Sequence, residues 1–304
     1  MGQDPTILSA YRKTIHHNDW YRTRALSWQK RLQSHPVLTI RYALADRFWK
    51  ILIALGLHDS FLEARTFWGE RMQVTFPDYR SIYHHGLIDG RELPVENFFV
   101  QSLKEGDVFM DVGANVGFYT LLASALVGDS GKVYAFEPTP RTFGILRNNT
   151  SDKKNVTRIN AALMETDGER NLADYGVEKS GLNTILPASH QGGVQQRMLR
   201  VEATTLDSYC HKYAIQPTFI KIDTEGAEEM VLKGGSKTLA AYHPALIIEV
   251  QREAPQDVII LLSGLGYEAY QFIENTPVPY TSGDILLCPN MLFMHEGVTK
   301  RKVA

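Results

Sequence analysis

A chain of 304 residues with 44% apolar side chains is long and apolar enough for one large core plus an extension, which excludes a disordered polymer. Its formal charge of −2 supplies no overall pull toward nucleic acid, and no nucleic-acid partner is expected. Two cysteines, Cys210 and Cys288, provide neither metal-ligand spacing nor a disulfide framework and read as reduced residues of a cytoplasmic protein.

Residues 1–36 are polar and basic, with Arg12, Lys13, Arg22, Arg24, Lys30 and Arg31 set among His16, His17, Trp20, Tyr21 and Trp28. They lack the apolar core and cleavage pattern of a signal peptide. The stretch 37–57 is more apolar, yet Arg41, Asp46, Arg47 and Lys50 interrupt it, so it reads as an amphipathic helix rather than a membrane span. Packing on the main domain or on a second subunit of a homo-oligomer is the first expectation, and peripheral contact with a membrane surface is the second. Residues 1–66 are thus expected to form an N-terminal helical extension, and residues 67–304 a cofactor-binding domain. From 67 to 91 short strands and turns precede a helix at about 94–103 and are placed to cover the pocket. Glu92 starts that helix, where it either faces a ligand or favours the positive helix end. His84 and His85 are candidates for substrate contact, with a plain surface pair as the alternative.

The run Val108-Phe-Met-Asp-Val-Gly-Ala-Asn-Val-Gly-Phe-Tyr-Thr120 predicts strand, tight loop and helix. Gly113 and Gly117 let the backbone turn sharply or touch a ligand, and Asn115 tolerates the left-handed conformation that such a loop needs. The spacing is Gly-x-Asn-x-Gly, with Phe118 where a dinucleotide fold wants its third glycine, which disfavours NAD. Asp111, at the strand tip, would repel phosphate but pair with an amino group, such as the one S-adenosylmethionine carries beside its sulfonium. The next strand, 132–136, ends in Glu137, about twenty residues beyond the glycines and placed to accept both ribose hydroxyls.

Beyond Thr120 the periodicity alternates between helix and strand, the pattern of a mostly parallel α/β sheet with helices on both faces. The expected elements are a helix at about 118–127, strand 132–136, helix 140–150, strand 156–160 and a strand-rich excursion at 170–203. They continue with strand 218–222, helix 226–232, strand 245–250, helix 255–264 and strands near 267–273 and 285–294, joined through Pro277, Pro279 and Gly283. Asn149-Thr-Ser and Asn155-Val-Thr match the glycosylation triplet and read as chance without a secretory signal. The segment 176–200 is rich in Gly, Ser, Asn and Gln and contains Ser180-Gly-Leu-Asn-Thr184, His190 and Gly192-Gly193. A long polar insertion on a rigid scaffold is where an acceptor would be recognised. His190 is a candidate base there, although a lone loop histidine is more often solvated.

Asp-Val-Gly-Ala-Asn-Val-Gly-Phe-Tyr-Thr at 111–120, Ala-Phe-Glu-Pro at 135–138 and Phe219-Ile-Lys-Ile-Asp-Thr-Glu-Gly-Ala-Glu228 together resemble the FkbM-type family of S-adenosylmethionine-dependent methyltransferases. The resemblance runs from about Glu92 to near the C-terminus, and three separated motifs in order make it specific. It implies a class I methyltransferase fold, Rossmann-like, with a mostly parallel seven-stranded sheet that ends in a closing hairpin. The implied reaction is O-methylation of a hydroxyl on a sugar, glycolipid or natural-product acceptor. To Asp111, Gly113, Asn115, Gly117 and Glu137 the resemblance adds Tyr119 and Thr120 of the first motif, and Asn160 and Ala161 where the family's pocket meets adenine.

In an open parallel sheet, ligands sit at the carboxyl ends of the strands, which puts Asp223, Glu225 and Glu249 around the acceptor. A carboxylate there is expected to take the acceptor hydroxyl's proton as the carbon–oxygen bond forms, roughly a 10²–10⁴-fold effect. The same carboxylates holding a Mg2+-like cation is the less favoured alternative, because no further Asp or Asn follows Glu249 directly. Asp223 and Glu225 are also placed to cap the next helix. The competing functional reading is a non-catalytic adenosyl-ligand binder or partner scaffold.

Overall fold

The computed structural model describes residues 5–17, 33, 36–56, 61–76, 78–88, 92–176, 183–185, 197–250, 255–273, 275–286 and 288–296. Helices α1 (Pro5–His17) and α2 (Pro36–Ala54) precede a hairpin of β1 (Phe61–Arg65) and β2 (Arg71–Thr75), followed by α3 (Arg80–His85) and α4 (Leu93–Ser102). The chain then runs β3 (Val108–Val112), α5 (Phe118–Val127), β4 (Lys132–Phe136), α6 (Pro140–Asn149) and β5 (Val156–Ile159). A small sheet follows, made of β6 (Ala162–Leu163), β7 (Gly168–Asp174) and β8 (Arg197–Thr204). The rest is α7 (Leu206–Tyr213), β9 (Phe219–Ile222), α8 (Glu228–Lys233), α9 (Ser236–Tyr242), β10 (Ala245–Glu249), α10 (Pro255–Ser263), β11 (Tyr267–Ile273), β12 (Thr276–Pro279) and β13 (Asn290–His295).

The large sheet has the order β12-β11-β13-β10-β9-β3-β4-β5. Strands β5, β4, β3, β9 and β10 are parallel, and β13 lies antiparallel between β10 and β11. This is the class I methyltransferase arrangement that the motifs imply, with one correction. The sheet has eight strands rather than seven, because Thr276–Pro279 folds back on β11 as an extra edge strand and the last strand starts at Asn290 rather than near 285. Pro277 and Pro279 suit an edge, where a missing N–H deprives no neighbour of a donor.

The central strands are apolar in unbroken runs because helices cover both faces. Phe109, Phe219, Ile247 and Leu292 enter one core together with residues of α1, α4, α5 and the β1–β2 hairpin. Their neighbours Met110, Ile220, Leu246, Ile248 and Phe293 enter the other, against α7 to α10. The expected division after residue 66 does not coincide with a break in this packing. It falls in the turn of the β1–β2 hairpin, and Ile7 and Tyr11 of α1 lie in the same core as Phe99 and Phe109. Tyr11 also donates its hydroxyl to the Leu93 carbonyl at 2.9 Å.

Three short helices, α3, α7 and α9, form where the pattern predicts none, α3 within the segment 67–91 expected to hold only short strands and turns. Thr205 caps α7 by accepting the Ser208 amide at 2.9 Å, and Leu206 and Cys210, four residues apart, turn inward. Helices this short carry too few turns for their period to stand out in the sequence. In both glycosylation-like triplets the asparagine side chain bonds to backbone: Asn149 donates to the Gln73 and Val116 carbonyls at 2.8 Å each, and Asn155 donates to the Ser124 and Gly128 carbonyls at 2.9 Å each. Both cysteines are buried, and no disulfide joins them. Among the described residues no helix is long and apolar enough to cross a membrane.

Candidate active site

The β3–α5 loop turns through three left-handed residues, Gly113 (φ 83°), Asn115 (φ 48°) and Gly117 (φ 92°). A Cβ on Gly113 would stand 1.8 Å from the Asp223 carbonyl oxygen, so only glycine lets the ends of β3 and β9 meet. The Gly113 and Ala114 amides donate to the Phe136 carbonyl at 3.0 and 2.9 Å and tie the loop to β4. Glu137, one residue beyond β4, accepts the Asn115 amide on Oε2 at 3.0 Å and the Thr139 amide on Oε1 at 2.8 Å. Burial lifts its pKa to about 7 in spite of those amides. A carboxylate accepts about four hydrogen bonds, which leaves capacity for a ligand.

A cleft opens at the carboxyl ends of β3, β4, β5 and β9, where open parallel sheets place their ligands. Gly113, Asn115, Glu137, Ala161, Asp223 and Glu225 line it, with Phe136, Leu163 and Ile185 supplying apolar wall. Asn115 Oδ1 is buried and meets no donor among the described residues.

Other sequence-derived candidates stand behind this wall. Asp111 is buried, and its Oδ2 accepts the Thr120 hydroxyl at 2.6 Å beneath the loop. Burial raises its pKa against the opposing charge of Lys221. Asp111 is not among the residues that line this cleft: it lies one position short of the strand end, and its side chain is held on the α5 side. Tyr119 donates to Glu92 Oε2 at 2.9 Å, and Gly117 packs where a Cβ would come within 2.7 Å of Leu146. Asn160 braces the ends of β4 and β5, donating to the carbonyls of Glu137 and Pro138 at 2.8 and 3.1 Å, while its neighbour Ala161 reaches the cleft.

The far side of the cleft is acidic and is organised by Lys221, a residue that the sequence reading passes over. The one available signal is a lone cation in the otherwise apolar strand Phe219–Ile222. Lys221 is 2% exposed, its Nζ lies 2.6 Å from Asp223 Oδ2, and it sits 4.8 Å over the Tyr119 ring. Burial alone would lower its pKa, but the charges of Asp223, Glu92 and Asp111 outweigh this and keep it protonated. Glu92 closes the group from α4, accepting the Asn290 amide on Oε1 at 2.9 Å.

Carboxylate oxygens of Asp223, Glu225 and Glu249 all lie within 4.8 Å of one another, so the structure brings the three expected acids together. Burial pushes Asp223 upward, yet the Lys221 ammonium outweighs it and holds this carboxyl below the usual range. Glu249 is pushed up to about 10, first by the charge of Asp223 and then by burial. Glu225 rises to about 8 through burial and the same charge. Like charges this close cannot all ionise, so the trio shares protons, with negative charge favoured on Asp223 beside Lys221.

Asp223 and Glu225 do not cap the following helix. The α8 N-terminus carries no side-chain cap bond, and Glu228, its first residue, instead ties down the loop before it: its Oε1 accepts from Thr224 N, Thr224 Oγ1 and Gly226 N at 2.9, 2.8 and 3.1 Å. Glu225 itself adopts φ 56°, an uncommon conformation for a glutamate and one that concentrates at functional sites.

Two further regions meet the cleft. Tyr79 lines it from the segment expected to cover the pocket, and Leu172, Asn183 and Ile185 line it from the excursion. Thr184 ties residues 183–185 to the acidic side by donating its hydroxyl to the Glu225 carbonyl at 2.9 Å. His190 and Gly192-Gly193 lie outside the described residues. His84 is turned elsewhere, with Nε2 3.1 Å from Asp46 Oδ1, and both His84 and His85 pack on Tyr42.

Residues 111–269, just over half of the chain, match the methyltransferase FkbM domain. The chain belongs to the FkbM methyltransferase family. The FkbM match begins at Asp111 and encloses Glu137, Asp223, Glu225 and Glu249, whereas α1 to α4 lie outside it. The hexuronic acid methyltransferase AglP of Haloferax volcanii is 28% identical over 175 residues, covering 57% of this chain and 68% of that protein. The 31-O-demethyl-FK506 methyltransferase FkbM of Streptomyces tacrolimicus is 38% identical over 74 residues, 24% of this chain and 28% of that one. A crystal structure of a methyltransferase FkbM from Methylobacillus flagellatus superposes with a TM-score of 0.43 at 16% identity, covering 64% of this chain and 44% of the other.

Proposed function

We propose that this FkbM-family chain transfers the methyl group of S-adenosylmethionine to a hydroxyl of a sugar, glycolipid or natural-product acceptor. The observation that carries the reading is that Asp223 and Glu225 wall the same cleft as Glu137 and Asn115. The residues on the first side fit the adenosyl group. Glu137 has carboxylate capacity for ribose hydroxyls, Gly113 leaves room for close approach, and the unpaired Asn115 Oδ1 awaits a donor. When bound, S-adenosylmethionine supplies an electrophilic methyl carbon on its sulfonium. Two named relatives, a hexuronic acid methyltransferase and a 31-O-demethyl-FK506 methyltransferase, support a saccharide or natural-product acceptor.

On the second side, Asp223 is the ionised group and accepts the proton of the acceptor hydroxyl. Glu249 and Glu225, holding protons, donate hydrogen bonds to acceptor oxygens and to Asp223 rather than repelling it. General-base assistance of this kind contributes roughly 10²–10⁴-fold, with alignment of the acceptor adding to it. Calorimetry should detect S-adenosylmethionine and not NAD, and labelled methyl should reach hydroxyls in a panel of hexuronic acids and polyols. Binding without transfer to any hydroxyl would support the non-catalytic binder, and absence of binding would sink both.

A second reading has an observation of its own. Three carboxylates with oxygens within 4.8 Å are hard ligands at a spacing that Mg2+ can bridge, and a cation there would lower the acceptor's pKa. Activity lost to a chelator and restored by Mg2+ supports this version, while indifference to chelation supports the metal-free one.

A further inference from the structure

The inner face of α2 holds the helix to the protein. Trp49 packs edge-on against Tyr83 at 6.0 Å, Tyr42 meets His84 and His85, and Asp46 pairs with Arg80 and His84 at 3.1 Å each. The outer face leaves Val37, Ile40, Leu44, Phe48, Ile51 and Leu55 to water: Val37 is 76% exposed, Leu44 62%, and Leu55, one residue past the helix, 64%. These six are half of the twelve large apolar side chains exposed among the described residues, so the stripe is not ordinary scatter.

Its charges say what covers it. Val37 and Leu55 are 18 residues apart, five turns at 3.6 residues each, so the stripe runs straight along the helix axis. Exposed Arg41 flanks the stripe on one side and exposed Arg47 and Lys50 on the other, while Asp46, the only acid in the helix, is turned inward. Beside α2, Arg41, Arg65, Arg71 and His84 line one groove with Glu63 as its single acid. Residues 1–57 carry nine Lys and Arg against three Asp and no Glu, a charge of +6 in a chain whose total is −2.

We propose that α2 seats this protein on an anionic bilayer surface, with the stripe in the acyl boundary and its flanking cations at the level of the lipid phosphates. Helix α3, which holds α2, begins one residue after Tyr79 of the cleft wall, so the contact brings the cleft close to that surface. The proposal stands independently of the acceptor and of the chemistry proposed above.

The full chain is sedimented with vesicles of phosphatidylcholine alone and with vesicles containing phosphatidylglycerol, and its mass is measured in solution. Pelleting with the anionic vesicles only, weakened by salt, is expected. Reversing Arg47→Glu and Lys50→Glu should weaken vesicle affinity about fivefold for each cation removed. Leu44→Glu with Phe48→Glu, both at exposed positions, should abolish pelleting while leaving the circular dichroism unchanged. Should that pair misfold, the charge reversals decide alone. No pelleting of the unaltered chain overturns the proposal, as does equal pelleting by charge-reversed protein. A dimer in solution that Leu44→Glu dissociates, with no vesicle binding, assigns the face to a second copy and overturns it too.

Discussion

The two sides of the cleft are built in opposite ways. At the ends of β3 and β4 the backbone does most of the work: left-handed glycines, two amides on one carbonyl, and a single carboxylate, Glu137, held by two N–H groups. At the ends of β9 and β10 side chains do it, with three carboxylates crowded together beside one buried lysine. The first side is fixed by backbone hydrogen bonds, leaves Asn115 Oδ1 open to a donor, and suits recognition of a fixed ligand. The second is electrostatically unsettled, since like charges at this separation cannot all ionise, and groups held in that state are the ones that exchange protons.

The comparison breaks most severely at Asp223. Asp223→Asn is expected to reduce methyl transfer by roughly 10²–10⁴-fold with S-adenosylmethionine affinity retained, as read by single-turnover assay and calorimetry. Equal loss of both would mean that the two sides are not separate. Lys221→Met leaves Asp111, Glu92 and Asp223 without their shared cation, and urea denaturation at neutral pH should show about 3–5 kcal/mol lost. The loss should shrink on acidification as the carboxylates take up protons, which a purely steric defect would not do. Glu137→Ala sharpens the comparison from the other side: cofactor affinity should fall by roughly 1–3 kcal/mol with little change in the rate at saturation.

The smallest expected effect is on the pH dependence of stability. Glu137, Glu225 and Glu249 have folded values of about 7, 8 and 10, all above the ordinary glutamate value, so the folded protein holds more protons than the unfolded chain across that range. Stability should therefore be fullest below the ordinary value and decline as pH rises toward alkaline conditions. Glu249→Gln should flatten the decline and gain about 1–2 kcal/mol at alkaline pH, a modest figure because the group is partly exposed to water. An unchanged melting profile for this variant would show that Glu249 is not under the strain described.

Much of this was legible before any fold was drawn, and the reason is physical. Asp111 to Thr120 must turn from strand to helix within a few residues, and only glycine and asparagine do so through left-handed conformations, so the loop announces itself. The strands of the large sheet are covered on both faces and therefore read as apolar runs wherever they occur. Local chemistry of this sort also placed Glu137, Asp223, Glu225 and Glu249 at strand ends.

What the linear order could not decide was which side of a strand each polar residue serves and who its neighbours are. Asp111 was legible as an acid in the loop motif, yet its place behind the wall depends on Thr120 and Lys221, which approach from another helix and another strand. Lys221 acquires its role only because Asp111, Asp223 and Glu92 converge on it from three separate elements. The hairpin boundary near residue 66, the burial of Tyr11 and the edge strand β12 likewise depend on partners far along the chain. Propensity and turn chemistry act within a few residues and can be read along the sequence. Burial and Coulomb interaction act through space, and only the tertiary fold brings the charges that set them within reach of one another.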